Sequence, residues 1–378
     1  MFARSTRSEE MSLGFNQQTK AVGPKPQEND YQFPDPPPDS YSCIALNGSP
    51  QSQTSIVCAG SWDNSVKCFE LAYNGAQMMK VNPQGTIKHD APVLCMDFNS
   101  TDNVTLFSAG CDSQVRMWNV TQGPNGVSVI GKHDQPVKSM KWLPELDCLA
   151  TASWDKTIRL WDCRQPNAAR TLQLNERIYT MDAVGKILVC TTADNQIHAY
   201  PDITNPNSKL SYKSPMKYQA RSISIFNDRQ GFALGCIEGR VAIEYFDEIQ
   251  VKAATPDGQK PPNSKSFVFK CHRESTTNDI YGVNAIDFHN QNTFVTAGGD
   301  GSMAWWDKDA RSRLATRDLF KMKCPITAAK FTPMGDALIY VLAYDWSRGA
   351  DGFKHCRHNQ IMYHAVNPQD IAAKPKKK

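Results

Sequence analysis

The stretch "TASWDKTIRLWD", residues 151–162, decides the fold because its pattern recurs along the chain. It combines a hydroxyl (Thr151), a carboxylate (Asp155) and an indole (Trp161), and it closely follows His133. Taken alone, a histidine, a hydroxyl and an aspartate resemble a hydrolase triad. A catalytic triad is needed once in a protein, whereas a structural hydrogen-bond chain is needed in every repeat. The number of occurrences therefore distinguishes the two interpretations.

Seven segments of the chain resemble one another, and each carries an acidic residue after a small or polar lead-in. These residues are Asp63, Asp112, Asp155, Asp194, Glu238, Asp300 and Asp345. Their successive spacings are 49, 43, 39, 44, 62 and 45 residues. Such a period, with short apolar or alternating runs between polar turns, is typical of four-stranded Trp-Asp repeats. The sequence therefore predicts an all-β fold, a seven-bladed β-propeller with one insertion.

The same pattern sets the predicted boundaries. Residues 1–28 are polar and lack core-forming periodicity, so we expect a disordered extension; the propeller spans 29–366, and 367–378 forms a basic tail. The last repeat lacks an outer strand, and "NDYQF" (29–33) is predicted to supply it and close the ring. In the longest gap, "VKAATPDGQKPPNSKS" (251–266) predicts a solvated surface loop.

The histidine, hydroxyl, aspartate and tryptophan recur in the same order. The sets are His89, Ser108, Asp112 and Trp118; His133, Thr151, Asp155 and Trp161; and Thr296, Asp300 and Trp306, with His272 displaced by the insertion. Recurrence favours a buried chain in which the histidine links the aspartate to the hydroxyl and the indole. Phosphate-binding loops, nucleophile elbows and zinc-protease motifs are absent from the sequence. We therefore expect no catalytic residues, no metal and no cofactor.

Bulk composition adds weaker constraints. The formal net charge of +4 is too slight to indicate nucleic-acid binding by itself. The twelve cysteines include no C-x-x-C pair and lie mostly in apolar segments, which favours free thiols over a disulfide scaffold. The start lacks the apolar core of a secretory signal. The longest apolar run, "ALIYVLAY" (337–344), is too short to span a bilayer. We expect a soluble intracellular protein without membrane contact.

Several stretches go beyond a generic propeller: "GFALGCIEGRVAIEYF" (231–246), "FVFKCHR" (267–273), "WWDKDAR" (305–311) and "YDWSRG" (344–349). Over roughly residues 29–366 the chain resembles the messenger-RNA export factors of the nuclear pore. The resemblance implies a non-enzymatic adaptor that docks on an acidic hairpin of a phenylalanine-glycine-repeat nucleoporin. It would link messenger ribonucleoprotein to the pore, in the nucleus and nuclear envelope with shuttling to the cytoplasm.

Two alternatives stay open. The "IEGRV" and "FKCHR" elements also resemble the sister spindle-checkpoint propellers, which bind checkpoint kinases. Some members of the export family contact RNA, so a direct RNA-binding protein is the other alternative. Since propellers close their own sheet edges, we expect a monomer within a heterocomplex.

The resemblance also implies site residues. Arg240, the arginine of "IEGR", would pair with hairpin carboxylates. Lys308, Arg311 and Arg313 form a basic run, and an adjoining pocket would be lined by Phe269, Trp306 and Asp307. The tail lysines Lys374, Lys376, Lys377 and Lys378 would address the protein to the nucleus, touch RNA phosphates, or simply be solvated.

Overall fold

The computed structural model describes residues 30–48, 54–74, 77–255, 261–318, 324–353, 356 and 359–374. The predicted disordered extension, residues 1–28, lies outside the described residues, as do Lys376, Lys377 and Lys378.

Short strands follow one another along the chain. The first seventeen are β1 (Asp30–Gln32), β2 (Tyr41–Leu46), β3 (Thr54–Ser61), β4 (Ser65–Asn74), β5 (Gln77–Lys88), β6 (Val93–Phe98), β7 (Thr105–Gly110), β8 (Gln114–Asn119), β9 (Val127–Lys132), β10 (Val137–Leu143), β11 (Cys148–Ser153), β12 (Thr157–Trp161), β13 (Ala168–Gln173), β14 (Ile178–Val184), β15 (Ile187–Thr192), β16 (Gln196–Tyr200) and β17 (Leu210–Lys213).

The later strands are β18 (Ala220–Ile225), β19 (Gly231–Cys236), β20 (Arg240–Tyr245), β21 (Phe267–Lys270), β22 (Val283–Phe288), β23 (Thr293–Gly298), β24 (Ser302–Asp307), β25 (Ser312–Asp318), β26 (Ile326–Phe331), β27 (Ala337–Leu342) and β28 (Gln360–Ala365). The α-helices in the described residues are α1 (Phe246–Ala253), α2 (Gly349–Phe353) and α3 (Pro368–Ile371). None of these helices has the length and apolar character needed to cross a membrane.

The described strands form seven antiparallel sheets of four strands each, which confirms the predicted seven-bladed propeller. Blades one to six take consecutive strands from β2 to β25, and blade seven has the order β1-β28-β27-β26. The inner strands pack side by side in a ring, and the ring closes where β26 meets β2. The N-terminal β1 therefore supplies the outer strand of the last blade, as "NDYQF" predicts.

The core lies between neighbouring blades. One apolar cluster, for example, joins blade seven to blade one through Phe33, Tyr41, Val57 and Ile339. A blade is covered on both faces, so its second strand is buried along its whole length rather than alternating; every residue of "CLATAS" (β11) and "ALIYVL" (β27) is buried. This arrangement explains why the sequence shows short continuous apolar runs.

The seven recurring acidic residues all lie in the turn between the second and third strands of a blade. The residue after each of them has a left-handed backbone: Asn64, Ser113, Lys156, Asn195, Gly239, Gly301 and Trp346. In most blades the carboxylate accepts the backbone N–H two residues on, as Asp155 does from Thr157 at 2.9 Å. We call the face that carries these turns the upper face. Each inner strand begins at this face and runs towards the lower face.

Three sequence predictions need correction. Residues 246–253 of the long insertion form α1, and its Lys252 is buried, so 251–266 is not a purely solvated loop. Residues 367–374 are not a free tail, because α3 docks with Ile371 buried in the core of blades six and seven. Cys58 and Cys68, on facing strands β3 and β4, form a disulfide where free thiols were expected.

Candidate functional site

The recurring histidine sets form buried hydrogen-bond chains. In blade three, His133 Nδ1 lies 2.8 Å from Asp155 Oδ2, and His133 Nε2 lies 2.8 Å from Thr151 Oγ1. The indole N–H of Trp161 donates to the same hydroxyl at 2.7 Å. Burial works against ionisation, but hydrogen bonds from His133 and Thr157 hold the pKa of Asp155 well below its usual range. The chain ties the connection between β9 and β10 to β11, to β12 and to the turn between them.

Blade six repeats this geometry despite its insertion. His272 Nε2 lies 2.9 Å from Thr296 Oγ1, its Nδ1 lies 3.0 Å from Asp300 Oδ1, and Trp306 donates to Thr296 at 3.0 Å. The third set is therefore complete, with His272 included.

Blade two differs, and the prediction for Trp118 is wrong. His89 reaches Asp112 at 3.0 Å and Ser108 at 2.9 Å. The Trp118 indole instead donates to the carbonyl of Gly123 at 2.7 Å. The turn that follows β8 places a carbonyl within reach of the indole, so this blade keeps only three members of the chain.

The three residues predicted to line a peptide pocket, Phe269, Trp306 and Asp307, line a small cavity of about 110 Å³ on the outer side of blades five and six. We call it the lateral pocket; it is lined by Phe267, Phe269, Phe294, Trp306, Asp307, Lys308, Arg311 and Ser312. The Phe269 and Trp306 rings lie 4.5 Å apart, and the Arg311 guanidinium lies 4.8 Å from the centroid of the Phe267 ring. An apolar slot with a cation at its rim can hold a flat or flexible apolar group next to an anion.

Not all of the predicted residues are available at this pocket. Lys308 is 3% exposed, and its ammonium lies 3.2 Å from Asp228 and 2.9 Å from Asp309. Asp307 is buried and accepts the backbone N–H groups of Asp309 and Lys374 at 2.9 and 2.8 Å. These two residues are therefore already paired internally, and among the charged residues of the lining Arg311 is the one at the rim of the slot.

Two other predicted residues lie apart from the slot. Arg313 is paired opposite Trp306 in the sheet and does not line the pocket. Arg240 begins β20 at the upper face, opposite Lys270, and its guanidinium lies 3.4 Å from Glu238. The sequence prediction therefore joined residues of two separate surfaces.

The upper face carries a second and larger cavity, which the sequence prediction missed. Each inner strand has an irregular register after its first residue, so that its second residue is a bulge. These second residues are Ser42, Leu94, Lys138, Tyr179, Arg221, Asn284 and Thr327. All except Tyr179 line a cavity of about 550 Å³ at the channel entrance, which we call the mouth.

The mouth combines unpaired cations with exposed indoles. Lys138 and Arg221 line the mouth together with the carboxylates Asp39 and Asp345, but within the described residues neither cation forms an ion pair. Burial, with a further contribution from Arg221, lowers the pKa of Lys138. Trp62 and Trp346 line the rim and are 42% and 48% exposed. A neighbouring cavity of about 440 Å³ shares Arg221 and extends the surface to the exposed Ile237 and Ile280.

No group of three or more metal-binding side chains occurs in the part of the chain that the structure describes. In the repeated sets, both ring nitrogens of His89, His133 and His272 are already hydrogen-bonded to side chains of the protein. The mouth offers cationic and aromatic side chains that can contact an extended acidic chain.

Comparison with known proteins agrees with this geometry. Residues 81–119, 126–162 and 263–307 match the family model "WD domain, G-beta repeat". The solved structure "Crystal structure of RRP9 WD40 repeats" superposes with a TM-score of 0.70, covering 90% of this chain and 99% of that one, at 15% identity. That similarity concerns the fold alone.

Relatives match over most of both chains. The "mRNA export factor GLE2" of Chaetomium thermophilum is 36% identical over 92% of this chain and 93% of its own length. "Protein Rae1" of Drosophila melanogaster is 39% identical, covering 88% and 93%. The "Poly(A)+ RNA export protein" of Schizosaccharomyces pombe is 34% identical, covering 93% and 94%. The chain therefore belongs to the mRNA export factor family that includes GLE2 and Rae1.

Proposed function

We propose that this protein is a non-enzymatic adaptor in mRNA export whose upper face docks an acidic hairpin of a phenylalanine-glycine-repeat nucleoporin. The observation that carries the proposal is the pair of cations at the mouth, Lys138 and Arg221, which line one cavity and form no ion pair within the described residues, although Asp39 and Asp345 line the same cavity. Burial already disfavours the charge on Lys138, so an incoming carboxylate would relieve a cost that the free protein bears.

The shape of the upper face also fits an extended partner. The two neighbouring cavities form a continuous surface from Trp62 on blade one to Ile280 before blade six. Exposed indoles and aliphatic side chains along it supply apolar contacts, and arginine gives directional pairing with carboxylates. Arg240 lies at the same face and would bind a further carboxylate near its end. This adaptor would act in the nucleus and at the pore, shuttling to the cytoplasm as a monomer within a heterocomplex.

Calorimetry with a synthetic acidic nucleoporin hairpin tests the docking. Arg221→Glu should weaken binding by about 2–5 kcal/mol, because it removes a desolvated partner and adds repulsion. Arg164→Glu is the matched control: it makes the same charge change at a side chain that is 72% exposed and far from the mouth. Equal affinities of the two variants would refute the docking site. Preference for a checkpoint-kinase segment over the nucleoporin peptide would assign the chain to the spindle-checkpoint alternative.

A contact with single-stranded RNA at the lateral pocket is a second candidate function. The aromatic slot beside Arg311 has the combination of stacking surface and cation used by such sites. Lys374 of the C-terminal segment lies beside the pocket, since it donates its backbone N–H to Asp307 and its ammonium to the Arg313 carbonyl at 3.3 Å. Binding of a labelled oligouridine should therefore weaken with salt, with a log–log slope of about −0.7 per phosphate contacted. A flat salt response would exclude this contact.

A further inference from the structure

A buried ionic cluster joins the end of β20 to the insertion between β20 and β21. The Lys252 ammonium is 2.5 Å from Glu244 and 3.5 Å from Glu248, and it donates to the Ser266 hydroxyl at 2.9 Å. Lys252 and Glu244 are almost fully buried, at 1% and 0% exposure. A buried lysine with two carboxylates is costly unless its partners are fixed, so the cluster imposes one geometry on the segments that supply them.

Glu248 also fixes, through hydrogen bonds, the positions of the residues that precede β21. Its Oε1 accepts the Lys265 N–H at 2.5 Å, and its Oε2 accepts the hydroxyls of Ser264 and Ser266 at 2.6 Å each. Burial acts in the opposite direction, but these hydrogen bonds lower the pKa of Glu248 to about 2. The ionised carboxylate therefore holds three consecutive residues in place.

The segment held by Glu248 contacts the rim of the lateral pocket. The Arg311 guanidinium donates to the Lys265 carbonyl at 3.1 Å and lies over the Phe267 ring. Arg311 itself comes from the turn between β24 and β25, on the next blade. Both of its contacts are therefore made to the segment that directly follows the cluster.

We propose that the Lys252–Glu248 cluster is a positioning device that orients Arg311 for an anionic group bound at the lateral pocket. The insertion of blade five thereby stabilises a residue of blade six. The Lys265 carbonyl accepts a hydrogen bond from Arg311 and restricts the rotamers of this long side chain. For the bound group itself the inference rests on the proposed RNA contact, whereas the orientation of Arg311 can be tested without it.

The binding test compares Glu248→Gln with Asp247→Asn. Both substitutions remove one negative charge from adjacent positions of α1, but Asp247 pairs with the exposed Lys265 ammonium and not with the cluster. Oligouridine binding is measured by fluorescence anisotropy. Glu248→Gln should weaken it roughly two- to tenfold relative to Asp247→Asn, because an unordered side chain must be immobilised on binding.

A double-mutant cycle shows whether Glu248 acts through Arg311. In an Arg311→Ala background, Glu248→Gln should have no further effect on affinity. Full additivity of the two substitutions would overturn the proposal. The milder Ser264→Ala, which removes one hydroxyl from Glu248, repeats the cycle if Glu248→Gln folds poorly.

The orientation is read independently from the NMR signal of the Arg311 side-chain Nε–H group. Glu248→Gln should make this group more mobile, while Asp247→Asn leaves it unchanged. Unchanged mobility in Glu248→Gln overturns the positioning role even if RNA binds. Failure of oligouridine to bind the wild type, with the mobility change present, rejects the RNA contact and leaves the positioning role supported.

Discussion

A buried carboxylate anchors the closing strand of blade seven, and Asp30→Ala tests how much it contributes to stability. The closing strand β1 has only three residues, yet the Asp30 side chain is fully buried. Its Oδ1 lies 2.5 Å from His364 Nδ1, and its Oδ2 accepts the Tyr340 hydroxyl at 3.0 Å. Burial, together with Asp30 itself, raises the pKa of Tyr340, so the phenol remains a neutral donor.

Removing the carboxylate leaves two buried polar groups without their partner. Each such group costs about 1–3 kcal/mol, so Asp30→Ala should lower the free energy of unfolding by about 2–6 kcal/mol. That is a large part of the 5–15 kcal/mol typical of a folded domain. The loss is measured by urea denaturation followed by tryptophan fluorescence, and by faster proteolysis of blade seven.

Tyr31→Ala provides the control for this experiment. Tyr31 lies on the same strand but is 44% exposed, so its truncation should change stability by no more than about 0.5 kcal/mol. If Asp30→Ala is no more destabilising than Tyr31→Ala, the carboxylate does not hold the ring closed, and closure must come from the other contacts of β1.

Three further predictions concern other parts of the fold. Thr151→Val should destabilise the protein by about 1–2 kcal/mol more than Ser108→Ala in urea denaturation, because the Thr151 hydroxyl serves both a histidine and an indole whereas Ser108 serves only a histidine. Burial raises the pKa of Asp287 to about 6, above its unfolded value, so its contribution to stability is lost as pH rises from about 4 to 6; Asp287→Asn should therefore be more stable than wild type by about 1–3 kcal/mol at pH 8, with no such gain at pH 4. Ile371→Asp should release the C-terminal segment, which limited proteolysis would detect as faster cleavage after residue 366; unchanged cleavage would contradict the docking of α3.

The seven blades could be predicted because their signal is local and repeated. In each turn between second and third strands an acidic residue precedes a residue with a left-handed backbone, and in most blades its carboxylate accepts an N–H of the turn. The acidic residue therefore recurs in the sequence once per blade. The closing strand could be predicted as well, because counting strands shows which blade lacks one.

The insertion could not be predicted because its polar residues do not face water. A helix of eight residues is too short to show periodicity, and Glu248 and Lys252 read as solvated charges in the sequence. Burial of Glu248 and Lys252 costs less free energy when the two charges pair with each other. That pairing depends on tertiary contacts, which a local sequence pattern does not show. The wrong assignment of Trp118 has a similar cause, since the competing carbonyl of Gly123 belongs to a turn found in that blade alone.

The sequence prediction placed residues of two separate surfaces in one site. A motif shows which residues are neighbours along the chain, but it does not show at which end of a strand, and so at which face of the propeller, each residue lies. Arg240 starts a third strand and so lies at the upper face, whereas Trp306 is near the end of a third strand and lies towards the lower face. In a propeller the direction of each strand alternates within a blade, so the position of a residue along its strand decides which face it serves.

The second residue of each inner strand has a special place in this fold. A bulge at the second residue of every inner strand turns that side chain towards the channel, and the neighbouring residues face other blades. Six of these seven bulge positions line the mouth, among them Lys138 and Arg221, and Asp39 and Asp345 add to its charge. Substitution there can change the partner without altering the fold. For that reason the same scaffold can serve an acidic hairpin in one protein and a different ligand in another.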